Sequence, residues 1–169
     1  MVPRLYCGGP PVEHAEDRKR VVPTENDQRP SRATGAWPDL AGIHVFLIED
    51  NADTRTMVSE VLIHCGAMIT VYQSADQTLA DLGEFVPTVF ICDLSMPGLD
   101  GLNFMRRMRT LPPERGSRIP AIAITAYYED FAAAAALEAG FNAYMTKPIR
   151  LDELARLVSD LARLPPPDR

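Results

Sequence analysis

No stretch of this 169-residue chain approaches the roughly 18 consecutive apolar residues of a membrane-spanning helix. Met1 to Gly9 also lacks the charged start and apolar centre of an export signal. A cytoplasmic protein with no membrane partner is the expectation from both absences. Cysteine is scarce: Cys7, Cys65 and Cys92 are odd in number and widely spaced, and two of them sit inside apolar segments, which suggests neither a disulfide framework nor a thiolate metal site. A basic surplus is missing as well. Residues 1–40 carry six basic and six acidic side chains, so the net charge of −6 belongs to residues 41–169, with 11 basic and 17 acidic ones. Phosphate contacts need a basic surface, so no direct binding of nucleic acid is expected of the folded part. Lysine is nearly absent there: ten of those 11 basic residues are arginine, and Lys147 is the single lysine.

What is present divides into an appendage and one domain. Residues 1–40 hold six prolines and a charged run from Glu13 to Arg20, with no apolar period, so a disordered N-terminal extension is expected. His14 reads as a solvated tail residue, and Trp37 as either a tether onto the domain or part of the tail. From residue 41 to 165 the pattern is regular, with 166–169 left as a short tail. A hydrophobic content of 46% suffices for an ordinary core.

The chain is organised around Val89 to Gly101, VFICDLSMPGLDG. A fully apolar strand ends there in one carboxylate, Asp93, and turns through Met96-Pro97-Gly98 into a helix opened by Asp100-Gly101. Before it, Ile43 to Ile48 reads as a buried strand ending in Glu49-Asp50, followed by a helix with Met57, Val58, Val61, Leu62 and Cys65 on one face, stopped at Gly66. A second strand covers Ala67 to Tyr72, and a weaker helix runs from about Ala75 to Phe85. The helix after Asp100 turns Leu102, Met105 and Met108 inward and Arg106, Arg107 and Arg109 outward. After a loop from Leu111 to Pro120 come a strand at Ala121 to Thr125, an alanine-rich helix at about Glu129 to Ala139, and a strand at Ala143 to Thr146. A last helix carries Leu151, Leu154, Leu157, Val158 and Leu161 before Pro165 ends it. Five strands alternating with five helices predict an α/β fold: a doubly wound, five-stranded parallel sheet with helices on both faces.

In such a sheet ligands bind beyond the carboxyl ends of the strands. With the flavodoxin-like order 2-1-3-4-5, the first and third strands are neighbours and Glu49, Asp50 and Asp93 converge. Two carboxylates about 4 Å apart at an effective dielectric near 20 repel by about 4 kcal/mol, more than packing tolerates without a cation. A small oxygen-only site open to water suits Mg²⁺, which favours carboxylates together with phosphate oxygens. Thr125 ends the fourth strand with a hydroxyl, and Lys147, before Pro148, ends the fifth with a compact positive charge. A hydroxyl, an ammonium and a divalent cation around Asp93 are what a developing phosphoryl charge on that carboxylate needs.

These residues together resemble the receiver domain of two-component response regulators. The likeness covers about residues 42 to 163 and rests on Glu49-Asp50, Asp93 with Met96-Pro97-Gly98 and Asp100-Gly101, Thr125-Ala126, and Lys147-Pro148, all at strand ends and in family order. The resemblance implies that Asp93 accepts phosphate from a phosphohistidine on a sensor histidine kinase or histidine phosphotransfer protein. It implies that Asp50, Asp93 and the Ser95 backbone carbonyl bind Mg²⁺ directly and Glu49 through water. Lys147 would hold the acyl phosphate, with its bond to Pro148 cis, and Thr125 with Tyr144 would form the switch. Ser95 and Tyr127 match positions that tune phosphate lifetime, and bulky Tyr127 is expected to slow loss of the phosphate. Glu49 departs from the commoner aspartate by one methylene.

The last helix should end near Leu164, so no output domain is expected and a downstream protein must read the phosphorylated state. The face made by the fourth helix, fifth strand and fifth helix, including Ala132 to Ala136, is the expected contact, and homodimerisation stays open. Two other classes compete. An aspartate-nucleophile phosphatase would carry a second aspartate where Ser95 stands, and a cap segment. A receiver-like module working by association alone would lack an acid or the lysine.

Overall fold

The computed structural model describes residues 36–82, 86–126 and 130–164. Five strands, β1 (His44–Ile48), β2 (Met68–Tyr72), β3 (Val89–Asp93), β4 (Ala121–Thr125) and β5 (Ala143–Thr146), form one parallel sheet in the order β2-β1-β3-β4-β5. Five helices alternate with them: α1 (Ala52–His64), α2 (Ala75–Asp81), α3 (Gly101–Thr110), α4 (Asp130–Ala139) and α5 (Leu151–Ala162). This is the doubly wound architecture expected from the alternation. Among the described residues no helix is long and apolar enough to cross a membrane.

The inner strands β1, β3 and β4 are mostly apolar because both of their faces are covered, whereas the edge strand β2 leaves Met68 and Val71 exposed. Alternate side chains go to opposite sides. Val45, Leu47, Ile91, Ile122 and Ile124 pack with Val58, Leu62, Leu154, Val158 and Leu161 of α1 and α5. Phe46, Ile48, Phe90, Cys92, Ala121 and Ala123 pack on the other side with Phe104, Met105 and Met108 of α3, and with Phe141. The small Ala121 and Ala123 on that side are matched by large aromatics, and Phe90 meets Phe46 and Phe104 edge-on at ring separations of 5.9 and 6.0 Å. Leu40, fully buried, joins the first cluster and donates its amide to Cys65 O at 2.7 Å. Trp37 is 46% exposed.

Several local expectations are corrected. Met57 is exposed and Val61 half-buried, because β2 is the edge strand and the apolar stripe of α1 is wider than the sheet beneath it. The second helix is Ala75–Asp81, and Leu82 leaves it in an extended conformation, ψ 118°, with its side chain in the core; the expected end at Phe85 lies outside the described residues. The loop before β4 contains a short 3₁₀ turn, Pro113–Arg115, closed by left-handed Gly116 at φ 98°. Arg109, expected to face outward, is half-buried. Its guanidinium donates to Ser117 O (2.7 Å), Ile119 O (2.8 Å), Gly140 O (2.8 and 3.0 Å) and Asn142 Oδ1 (3.4 Å). An outward arginine on α3 would leave the carbonyls before β4 and β5 without that donor.

Candidate functional site

Register builds the site. Ile48 of β1 lies opposite Cys92 of β3, so the next residues, Glu49 and Asp93, emerge side by side at the carboxyl edge. Thr125 of β4 lies opposite Thr146 of β5, and Lys147 follows, its amide bonded to Thr125 O at 2.7 Å. The sequence then turns at Pro148 through a cis Lys147–Pro148 bond.

Asp93 is 3% exposed. Its Oδ1 accepts the Ser95 amide at 2.8 Å and its Oδ2 meets Lys147 Nζ at 2.6 Å. Glu49 is wholly buried; Oε1 accepts the Asn51 amide at 3.1 Å, and Lys147 Nζ lies 3.1 Å from Oε2. That last contact is an ion pair without hydrogen-bond direction, so Oε2 is a buried oxygen with no hydrogen-bond donor. Burial first, then the charge of Asp93, pushes the Glu49 carboxyl from its ordinary 4.5 up to about 7, against the Asn51 amide and Lys147. Burial by itself would lower Lys147, but its hydrogen bonds to Asp93 and Glu49 and their charge prevail and raise it, so the ammonium is held. Asp50 is exposed, and one carboxylate oxygen from each of Glu49, Asp50 and Asp93 lies within 4.8 Å of the others.

The donor set fits a hard divalent cation. Three carboxylates against one ammonium leave two negative charges when all are ionised, and Glu49 Oε2, 3.1 Å from Lys147 Nζ, receives no directed hydrogen bond. Thr125 is fully buried at the end of β4, and Tyr144, 8% exposed, packs in the cluster with Phe141. Ser95, whose side chain is exposed, is placed by its amide bond to Asp93. Tyr127 lies outside the described residues.

Three contributions, from Asn51, Arg55 and the motif residue Gly101, were not anticipated from the chain. Asn51 caps α1, its Oδ1 accepting the Thr54 amide at 2.9 Å, which an asparagine before a helical pattern signals. Arg55 reaches back from α1 to the carbonyls of Glu49 and Asp50 at 2.8 and 2.7 Å. Gly101 lets α3 start against the Asp93 backbone: a Cβ there would collide with Asp93 O and lie 2.9 Å from Leu94 Cα. A glycine just after a capping aspartate is the one signal the chain carried for that approach.

Residues 45–159 match the family model described as response regulator receiver domain. Over 129 residues the chain is 39% identical to a 14.6 kDa protein encoded in the sodA1 3′ region of Leptolyngbya boryana, covering 76% of this chain and 97% of that one. It is 35% identical over 136 residues to the cyclic di-GMP phosphodiesterase response regulator RpfG of Xanthomonas campestris, covering 77% of this chain but about a third of the relative, 35% of its length. Among solved structures it resembles the receiver domain of sensor histidine kinase PA1611 from Pseudomonas aeruginosa, which has a magnesium ion coordinated in its active-site cleft. That likeness is 29% identical with a TM-score of 0.65, covering 72% of this chain and 98% of that one.

Proposed function

Because the chain belongs to the response regulator receiver domain family of two-component signalling, we propose that Asp93 accepts a phosphoryl group from a phosphohistidine donor and that Mg²⁺ assists. The observation that carries this reading is the pair of contacts on Asp93. One oxygen is held by the Ser95 amide and the other by Lys147, at the buried end of β3, with two further carboxylates within 4.8 Å.

In the proposed reaction the Asp93 carboxylate attacks phosphorus as the P–N bond of the donor breaks. The electron pair of that bond returns to the imidazole ring, which leaves neutral when its other nitrogen bears a proton. Lys147 already touches the attacking carboxylate and supplies positive charge to the arriving phosphoryl oxygens, and the Thr125 hydroxyl is the proposed donor to one of them. Asp50, Asp93 and the Ser95 carbonyl would hold Mg²⁺, with Glu49 acting through water. The ion supplies charge stabilisation at the transferring group. The magnesium in the PA1611 receiver cleft supports the assignment. The donor would be a sensor histidine kinase or a histidine phosphotransfer protein. Thr125 and the buried Tyr144 are the proposed switch pair, passing the added charge to the face of α4, β5 and α5, where a downstream protein would read it.

The test is intact-mass spectrometry of the full chain after incubation with acetyl phosphate and Mg²⁺. One added phosphoryl group in the wild type, absent in Asp93→Asn and absent when Mg²⁺ is chelated, is expected; an unmodified wild type overturns the reading.

A further inference from the structure

Arg55 stands one turn into α1, directly after the acid pair. Helical side chains lean toward the helix N-terminus, so it reaches back over the loop it follows. One nitrogen, Nη1, donates to both Glu49 O at 2.8 Å and Asp50 O at 2.7 Å. Among the described residues no carboxylate lies within ion-pairing distance of Arg55. A guanidinium beside three acids would ordinarily engage one of them as a two-pronged pair. This one takes neutral backbone oxygens and leaves the three carboxylates to the site.

The rest of the loop shows what that contact adds. Glu49 is already fixed by its amide on Tyr72 O at 3.1 Å and by its carboxylate on the Asn51 amide and Lys147. Asn51 is fixed by its cap on Thr54. Asp50 lies between them with an exposed side chain, and its carbonyl accepts from Arg55. Where the Asp50 carboxylate points therefore follows the orientation of the Glu49–Asp50–Asn51 peptides, and Arg55 grips two consecutive carbonyls of that stretch.

Building on the proposed Mg²⁺-assisted function, we propose that Arg55 is a positioning residue of the metal site. It fixes the Glu49–Asp50 backbone so that the Asp50 carboxylate meets Asp93 in a geometry that accepts a divalent cation. Two effects oppose each other at this spot. The positive guanidinium repels a metal ion, whereas the clamp preorganises its ligands. Partners that orient ligands typically contribute about 10-fold to 100-fold in metal affinity, and a guanidinium half open to water is screened, so the clamp should prevail.

The experiment is a calorimetric titration of the full chain with Mg²⁺ alone, well below the melting temperature, for wild type, Arg55→Met, Arg55→Gln and Arg55→Lys. The two neutral variants should bind Mg²⁺ about 10-fold more weakly. Arg55→Lys, which keeps one nitrogen able to serve both carbonyls, should recover most of that loss. In acetyl phosphate reactions the half-saturating Mg²⁺ concentration should rise in Arg55→Met while the rate at saturating Mg²⁺ stays unchanged, a split that lost stability alone would not produce. Either neutral variant carries the test if the other fails to fold by circular dichroism. Neutral variants that bind Mg²⁺ as tightly as wild type, or more tightly, overturn the role of Arg55, as does Arg55→Lys binding as weakly as Arg55→Met. A wild type that binds no Mg²⁺ overturns the functional reading itself.

Discussion

Arg109 and Lys147 are partly buried cations at opposite ends of the parallel sheet, and the two are used in opposite ways. Before β4 and β5, Arg109 spreads its guanidinium over the carbonyls of Ser117, Ile119 and Gly140 and the side-chain oxygen of Asn142. These four are neutral oxygens, three of them backbone carbonyls. Beyond the carboxyl ends of β3 and β5, Lys147 is shared between two carboxylates, Asp93 at 2.6 Å and Glu49 at 3.1 Å, with Asp50 close by. Positive charge is short there, and Glu49 Oε2 lacks a donor. The planar fork of arginine suits several fixed oxygens at once, and the point charge of lysine suits a site whose occupants change. Arg109 ties backbone segments together, whereas Lys147 sits among three carboxylates.

The sharpest break between the ends is chemical. Asp93→Asn should abolish phosphoryl uptake in intact-mass measurements without lowering the melting temperature, since it removes one of the crowded carboxylates and keeps the shape. Uptake persisting in that variant would move the acceptor elsewhere. At the other end the effects should reverse. Arg109→Ala strips charged donors from several part-buried carbonyls and should cost about 4 kcal/mol in chemical denaturation, while the folded fraction still takes up phosphate at the wild-type rate. Slowed uptake with unchanged stability would show that the two ends are not separable.

Glycine sharpens the contrast on a smaller scale. At Gly101 an added Cβ meets the backbone of Asp93 and Leu94, which cannot turn aside. Gly101→Ala should therefore cost about 2–3 kcal/mol and also slow uptake, because any relief moves Asp93. A stability loss with uptake per folded molecule unchanged would mean that the helix yields and the carboxylate does not.

The convergence of residues at the carboxyl end of the sheet was largely legible in the chain and the contacts at the other end were not, for a physical reason. Glu49, Asp50, Asp93, Thr125 and Lys147 each terminate an apolar strand, and parallel register brings such termini together whatever the loops do. Arg109 occupies a position that helical periodicity assigns to solvent. Three of its partners are backbone carbonyls 8 to 31 residues away, to which no residue type in the sequence corresponds. Arg55 was hidden in the same way, since backbone oxygens carry no sequence signature. Met57 looked like core because the apolar stripe of α1 does not record that β2 has no neighbour on one side. Leu82 looked helical because an apolar residue continues the period whether it ends a helix or leaves it.

The smallest expected difference between the ends is in pH dependence, and it belongs to Glu49. Its carboxyl is raised from 4.5 to about 7, so between those values the folded protein holds a proton that the unfolded chain has released. Stability without metal should therefore fall as pH rises through that window, and the contribution is fully lost above about 7. Between about pH 6 and pH 7.5 the fall should be on the order of 1 kcal/mol. Glu49→Gln cannot release the proton and should remove that part of the slope, whereas Arg109→Ala should lower the whole curve and leave the slope intact. Saturating Mg²⁺ should flatten the wild-type curve as well, because a divalent cation supplies the positive charge that lets Glu49 ionise inside the fold. Denaturant titrations at the two pH values decide it: equal slopes in wild type and Glu49→Gln would mean that Lys147 already balances both acids.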